Sequence, residues 1–333
     1  MKNFEYAIPE SIEKTLEYLS PSNAILKAGG IDLLDRMKEQ LESPGRLVNI
    51  RDLEDLRFLK EDTNGSFLIG PGQTLTEISD DQRIKKSYRA LADAARGVAS
   101  VQIRNTATIG GNLCQRPRCW YFRSADFHCS RKGGDTCFAL DGENQYHAIF
   151  DNADGCAIVH PSATAVALMA LDARLIIKDE KNEKEIPIEE FFVRPAENIE
   201  KENILNHNEM IVSIIIPAKS RNFLSYYCKH KEKLSFDWPL ADVAVALRME
   251  GQRCLEARVV LGSAAPVPFR SNTAEQVLTN ATLNKDTAMK AAEAAIANAE
   301  PLSLNEYKVP LFKTIIFRTI CHAVGIDPIG LGS

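Results

Sequence analysis

Arg104-Asn105-Thr106-Ala107-Thr108-Ile109-Gly110-Gly111-Asn112-Leu113 is the stretch around which this 333-residue chain is organised. Adjacent glycines among small polar residues let the backbone approach a ligand closely, and successive N–H groups in such a turn suit an anion. Directly behind it runs a polar, poorly periodic segment carrying Cys119, Cys129, Cys137 and Cys156. A turn able to wrap an anionic group thus stands against a loop able to hold a metal. Five of the eight cysteines fall between Cys114 and Cys156. In a reducing compartment that clustering favours metal over disulfides. Cys228, Cys254 and Cys321 read as small buried apolar residues.

A related turn lies upstream. Ala24-Ile25-Leu26-Lys27 reads as a short strand, entering Ala28-Gly29-Gly30-Ile31-Asp32-Leu33-Leu34 and a helix from Asp32 to about Gln40. A strand–turn–helix junction offers N–H groups to a pyrophosphate. Taken alone, Gly29-Gly30 is better read as a plain turn. It is not the GxGxxG of a standard NAD fold. Two such turns roughly 80 residues apart can grip two ends of one long cofactor, which raises the case for a dinucleotide.

The net charge of −5 and pI near 5.8 argue against a nucleic-acid surface. No apolar run approaches the ~20 residues of a membrane span. The N-terminus lacks the apolar core of a signal peptide. A cytoplasmic location is expected, where thiols stay reduced.

Periodicity supplies the remaining elements. Residues 9–20 read as a helix, 46–50 and 67–70 as strands, and Thr74-Leu75-Thr76-Glu77 as a capping box opening another helix. Residues 87–99 read as an alanine-rich helix, 156–161 as a strand, and 162–171 as a helix capped by Ser162. Residues 173–187 form a predicted hairpin and 210–217 a strand ending at proline. Residues 218–222 make a boundary. Beyond it, 240–249 and 254–261 read as paired strands, 284–299 and 311–324 as helices. Strands followed by helices give an α+β class.

The cysteine intervals are 10, 8 and 19 residues. Four thiolates can hold a [4Fe-4S] cluster, or zinc, which usually takes close pairs such as C-x₂-C. Spacing alone leaves cluster, zinc and no metal open. Cys114 continues the glycine turn and reads as packed inward. Arg116, Arg118, Arg123, Arg131 and Lys132 crowd the loop, either offsetting a cluster's negative charge or forming a solvated surface. His128 and His147 read as ordinary loop histidines, and Trp120 and Tyr121 as packing residues.

Lys27-Ala28-Gly29-Gly30-Ile31-Asp32-Leu33-Leu34 resembles the first flavin loop of the FAD-binding medium subunits of molybdenum hydroxylases, and residues 104–113 resemble their second. The resemblance continues through His160-Pro161-Ser162, Ser235-Phe236-Asp237-Trp238-Pro239-Leu240, Leu261-Gly262-Ser263-Ala264-Ala265-Pro266 and Tyr307-Lys308-Val309-Pro310. It implies a two-lobed, PCMH-like FAD-binding domain over 1–217, with lobe 1 about 1–55 and lobe 2 about 56–217. A smaller C-terminal α/β domain would follow over 223–333. It implies Lys27, Ala28, Gly29, Gly30, Ile31, Asp32, Leu33, Leu34, Thr108, Gly110, Gly111 and Asn112 as neighbours of FAD. A subgroup carries an inserted [4Fe-4S] loop, here 114–156, with Cys119, Cys129, Cys137 and Cys156 as the implied ligands. Ala163 stands where the family usually has an aspartate, Ile31 where it usually has threonine, and Lys231 and Lys233 where relatives have arginines.

The function so implied is an electron-transfer flavin subunit. It would relay electrons through FAD and the cluster to or from a [2Fe-2S] small subunit and a molybdopterin-binding large subunit, with ferredoxin or NAD(P)H as the external carrier. No catalytic triad, carboxylate pair or Walker motif is evident. Two other readings are a self-sufficient FAD reductase of the UDP-sugar reductase type, and a non-enzymatic scaffold subunit that has lost FAD.

Overall fold

The computed structural model describes residues 1–233 and 236–329. Ser235 of the motif quoted above and residues 330–333 of the expected C-terminal domain lie outside the described residues.

Three sheets organise the chain. The first is parallel, with Arg46–Asn49 between Glu5–Ala7 and Ala24–Lys27. Helix Ile12–Leu19 connects two of its strands and starts at Ser11, whose Oγ accepts from the Lys14 N–H at 3.1 Å. That cap satisfies a donor the helix cannot satisfy itself. Leu16 and Leu19 then bury against Val48.

The second sheet is antiparallel, in the order Leu59–Glu61, Phe67–Ile69, Met210–Ile216, Arg174–Lys178, Glu183–Pro187. Met210–Ile216 is buried along nearly its whole length, as befits a central strand made of Ile and Val. Helices Leu75–Asp80, Arg89–Arg96 and Ala163–Ala170 belong to the core that covers it. The capping box is complete: Glu77 N–H reaches Thr74 Oγ1 at 3.2 Å, and Thr74 N–H reaches Glu77 Oε2 at 2.8 Å. Ala90, Ala94 and Ala95 are fully buried. Their small side chains let Arg89–Arg96 pack closely beside Ala163–Ala170.

The third sheet is antiparallel, Phe269–Arg270, Arg253–Gly262, Pro239–Glu250, Leu224–Lys231. Helices Asn272–Leu278, Lys285–Ile296 and Lys308–Ala323 share its core. The expected α+β class and strand hairpins are therefore present. Residues 156–161 depart from expectation, because they form no strand. They run extended with isolated bonds, Ala148 N–H to the Ala157 carbonyl and His160 N–H to the Ala265 carbonyl, both 2.9 Å. Pro161 has no N–H with which to continue a ladder.

Candidate cofactor site

The two glycine turns touch. A Cβ built on Gly29 would stand 2.2 Å from the Thr106 carbonyl oxygen, so only glycine allows the first turn to rest on the second. Gly30 caps helix Ile31–Lys38 with φ +75°, a left-handed conformation that glycine adopts at little cost. The second turn closes as the short helix Ile109–Leu113, with Thr108 Oγ1 accepting from the Gly111 N–H at 3.1 Å. Gly110 is needed for packing, since its Cβ would lie 2.8 Å from Pro71. Gly111 differs: an added Cβ would meet only Thr108 Oγ1, which leaves this face of the turn open to a ligand.

Asn112 is buried, and its Oδ1 accepts from Ser162 Oγ at 2.7 Å and Thr164 Oγ1 at 2.6 Å. This joins the second turn to the start of helix Ala163–Ala170, where Ala163 is itself buried. Lys27 donates to Asn49 Oδ1 at 3.1 Å, and burial pushes its ammonium below the ordinary lysine value. Ile31 is exposed, whereas Leu33 packs into a small core with Met37 and Leu47 that Leu34 borders. The side chains of Leu33 and Leu34 thus serve packing.

Two hollows border this region. One is polar, about 460 Å³, and includes Arg51, Arg57, Thr76, Asn105, Thr106 and Thr108 in its lining. The other, about 220 Å³, has aromatic walls from Trp120, Tyr146 and Trp238, with Pro161 and Asp237 at its edge. Pro161 is tied to the second turn through Gln115 Nε2, which donates to the carbonyls of Asn112 at 3.1 Å and Pro161 at 3.4 Å. Tyr226 and Tyr227 do not reach these walls. Tyr226 lies beneath the Arg89 guanidinium, and Tyr227 is buried with its hydroxyl donating to Asp242 at 3.0 Å.

The cysteine loop is folded tightly. Cys119, Cys129, Cys137 and Cys156 all line one cavity, of about 10 Å³. Among the described residues no three ligating side chains converge on a point that would hold a single metal ion. The neighbouring Cys137 thiol, with Arg131 alongside, draws the Cys156 thiol below its ordinary pKa against the effect of burial. Burial pushes Cys119 up to about 11. Cys114 packs against the main core, and burial pushes its thiol up to about 12.

The arginines are engaged rather than solvated. Arg131, 3% exposed, donates to Glu202 Oε1 at 2.8 Å. Arg116 takes both oxygens of the same carboxylate, at 2.9 and 3.0 Å. Arg118 and Arg123 pair with Asp32 at 2.7 and 2.6 Å, and Arg36 completes that cluster at 3.2 Å. Burial opposes the Asp32 charge, but Arg118 and Arg123 outweigh it and hold the carboxyl below the usual range. The Asp32 side chain therefore faces the cysteine loop.

The sequence presents His147 as an ordinary loop histidine, and the fold buries it. It is 3% exposed, with Nε2 3.2 Å from Cys119 Sγ. Burial, with Lys308 nearby, lowers its pKa to about 4, so the ring is neutral. His128, by contrast, is exposed. Glu202, Asn305 and Lys308 carry no individual signal in the sequence. Lys308 and Ser263 did lie within quoted motifs. The Lys308 ammonium reaches the Ser263 carbonyl at 2.6 Å and the His147 carbonyl at 2.9 Å.

The sequence matches two family models in tandem: the FAD binding domain in molybdopterin dehydrogenase over residues 2–219, and the CO dehydrogenase flavoprotein C-terminal domain over residues 225–323. The aldehyde oxidoreductase FAD-binding subunit PaoB of Escherichia coli is 30% identical over 97% of this chain and 99% of its own length. The carbon monoxide dehydrogenase medium chain of Hydrogenophaga pseudoflava is 26% identical over 90% of this chain and 88% of its own. The solved carbon monoxide dehydrogenase from that organism, lacking the Mo-pyranopterin moiety of its molybdenum cofactor, superposes with a TM-score of 0.75 at 25% identity. It covers 97% of this chain and 98% of the solved one.

Proposed function

This chain belongs to the family of the FAD binding domain in molybdopterin dehydrogenase, and on that premise we propose that it is the flavin subunit of a multi-subunit molybdenum hydroxylase. In this reading it relays electrons between FAD and a [4Fe-4S] cluster, on to or from a [2Fe-2S] subunit and a molybdopterin subunit. Relatives named as FAD-binding subunits of aldehyde oxidoreductase and xanthine dehydrogenase, and as the medium chain of carbon monoxide dehydrogenase, support the flavin-subunit assignment.

The residues fit FAD. Lys27, Ala28, Gly29, Gly30, Ile31 and Asp32 with Leu33 and Leu34 form the first turn, and Thr108, Gly110, Gly111 and Asn112 the second. The face at Gly111 leaves room for a ligand to approach, while the N–H groups of Ile109, Gly110, Gly111 and Asn112 are already bonded within the fold. The aromatic hollow offers a flat ring apolar walls. FAD, when bound, supplies the redox chemistry, and the protein sets its position and potential.

The observation that carries the cluster is the gathering of Cys119, Cys129, Cys137 and Cys156 around one cavity. Thiols separated by 37 residues of polar sequence meet there, with Arg131 beside Cys156 to favour thiolate charge. A zinc ion needs its four ligands about one point, at ~2.3 Å for sulfur. In a cubane each thiolate binds a different iron, so the sulfurs stand further apart. The cavity is small, so its cysteine walls must spread to admit it. Among the described residues no helix is long and apolar enough to cross a membrane. We place the protein in the cytoplasm, exchanging electrons with ferredoxin or NAD(P)H.

The test is anaerobic purification from the native host, with a visible spectrum, iron and sulfide analysis, and native mass spectrometry. Flavin bands, broad iron–sulfur absorption and two companion subunits are expected. Flavin alone, with turnover of a small substrate by the isolated chain, would favour a self-sufficient reductase. Neither chromophore would make it a scaffold.

A further inference from the structure

His147 stands in the wall between the cysteine cavity and the aromatic hollow, for both His147 and Cys119 border both spaces. Its Nε2 lies 3.2 Å from Cys119 Sγ, and its Nδ1 has no hydrogen-bond partner. Of the ring's two polar neighbours, the Cys119 sulfur and the Asn144 backbone, only the sulfur stands in hydrogen-bonding geometry. Trp120 meets the ring edge-on at 5.5 Å.

The backbone at this position is braced from a distant part of the chain. The His147 carbonyl accepts from Lys308 Nζ at 2.9 Å and from Asn305 Nδ2 at 3.1 Å, and Asn305 also holds the Ala148 carbonyl at 3.1 Å. Asn305 and Lys308 are themselves fully buried. Shifting the backbone that carries the ring would break hydrogen bonds whose donors have no water to turn to.

A thiolate bound to iron has no proton to give. The 3.2 Å contact is then a hydrogen bond only if Nε2 carries the hydrogen, which leaves Nδ1 as a bare lone pair. Resting on the cluster reading above, we infer that His147 is a positioning residue. It donates a hydrogen bond to the Cys119 sulfur and raises the reduction potential of the cluster. An N–H directed at a ligand sulfur stabilises the more negative, reduced form, and hydrogen bonds to the sulfurs are among the levers that set such potentials.

The experiment uses the anaerobic complex with wild type, His147→Phe and His147→Gln. Iron and sulfide content are measured first, then the cluster potential by EPR-monitored redox titration. His147→Phe keeps a ring beside Trp120 and removes the N–H; full iron content with a more negative potential is expected. His147→Gln returns an N–H near the Nε2 position and should restore the wild-type potential. An unchanged potential in an iron-replete His147→Phe overturns the inference. Should that variant lose its iron, hyperfine coupling to ¹⁵N-labelled histidine in the reduced wild-type cluster decides: its presence supports the hydrogen bond and its absence overturns it. A wild type without iron and sulfide sinks the cluster reading itself, and this inference with it.

Discussion

Asp32 accepts a hydrogen bond from Arg123 Nη2 at 2.6 Å, and that bond fastens the helix behind the first glycine turn to the loop carrying the cysteines. Arg118 shares the same carboxylate, and the Arg116 N–H reaches it at 3.1 Å. One acidic side chain therefore couples the two halves of the site.

Asp32→Asn keeps the shape and removes the charge, leaving two arginines short of a partner. We expect a loss of about 2–3 kcal/mol, since breaking a largely buried pair strands the remaining charge. Thermal unfolding at pH 7 measures it. The Asp32 carboxyl is held below its ordinary value of 3.8 in the fold. Its contribution is therefore present above that pH and is lost as pH falls through the lowered folded value. Wild type and variant should converge only in strong acid; equal stability at pH 7 would show the cluster to be unimportant.

The glycines should separate by role. Gly29→Ala places a Cβ against the Thr106 carbonyl and should destabilise the fold by more than about 3 kcal/mol. Gly111→Val meets only a hydroxyl of its own turn, so the protein should fold and lose flavin. Circular dichroism and the flavin-to-protein ratio read the two effects. A folded Gly111→Val with full flavin would remove this turn from the cofactor site.

Serine at Cys119, Cys129, Cys137 or Cys156 should lower iron content and visible absorption while leaving much of the FAD, because serine is a poor ligand for a soft metal site. Cys114→Ser should keep about four irons per chain, as a thiol packed in the core is no ligand. Iron and sulfide analysis of the five variants checks this. Loss of the cluster in Cys114→Ser alone would overturn the assignment, and stoichiometric zinc without sulfide would remove the redox role.

Lys308 gives a pH signature. Burial lowers its ammonium to about 7 from an ordinary 10.5, although Asp242 works the other way. His147 also lies close but stays neutral at these pH values, having its own pKa near 4. Between pH 7 and 10.5 the unfolded chain binds more protons at this site than the folded one, so stability should rise with pH across that window. Below pH 7 the penalty for burying the charge is fully present. Lys308→Met should flatten the slope, measured as unfolding midpoints from pH 7 to 10; an unaltered slope would mean that another group carries it.

Local chemistry was legible wherever a short segment settles its own conformation. The Thr74–Glu77 capping box, the hairpin of Arg174–Lys178 with Glu183–Pro187 and the buried strand Met210–Ile216 all follow from nearby side chains. Strand Leu224–Lys231 was harder to see. It exposes Leu224 while burying Ser225 and Tyr227, so its alternation runs against the hydrophobic pattern. Residues 156–161 show the opposite failure, an apolar segment without a ladder.

The sequence by itself determined that the chain carries two small-residue turns, the second of them beside a cysteine-rich loop, because glycine freedom and thiol chemistry belong to the residues. Only the tertiary structure decided which of them work together. Gly29 proved to be a packing glycine, the loop arginines proved to be paired, and His147 turned from an unremarkable histidine into a neighbour of Cys119. Those outcomes depend on Thr106, Asp32 and Lys308, which stand 77, 91 and 161 positions from their respective partners Gly29, Arg123 and His147. Burial and charge pairing act across space, and the order of residues along a chain does not state which distant groups will share it.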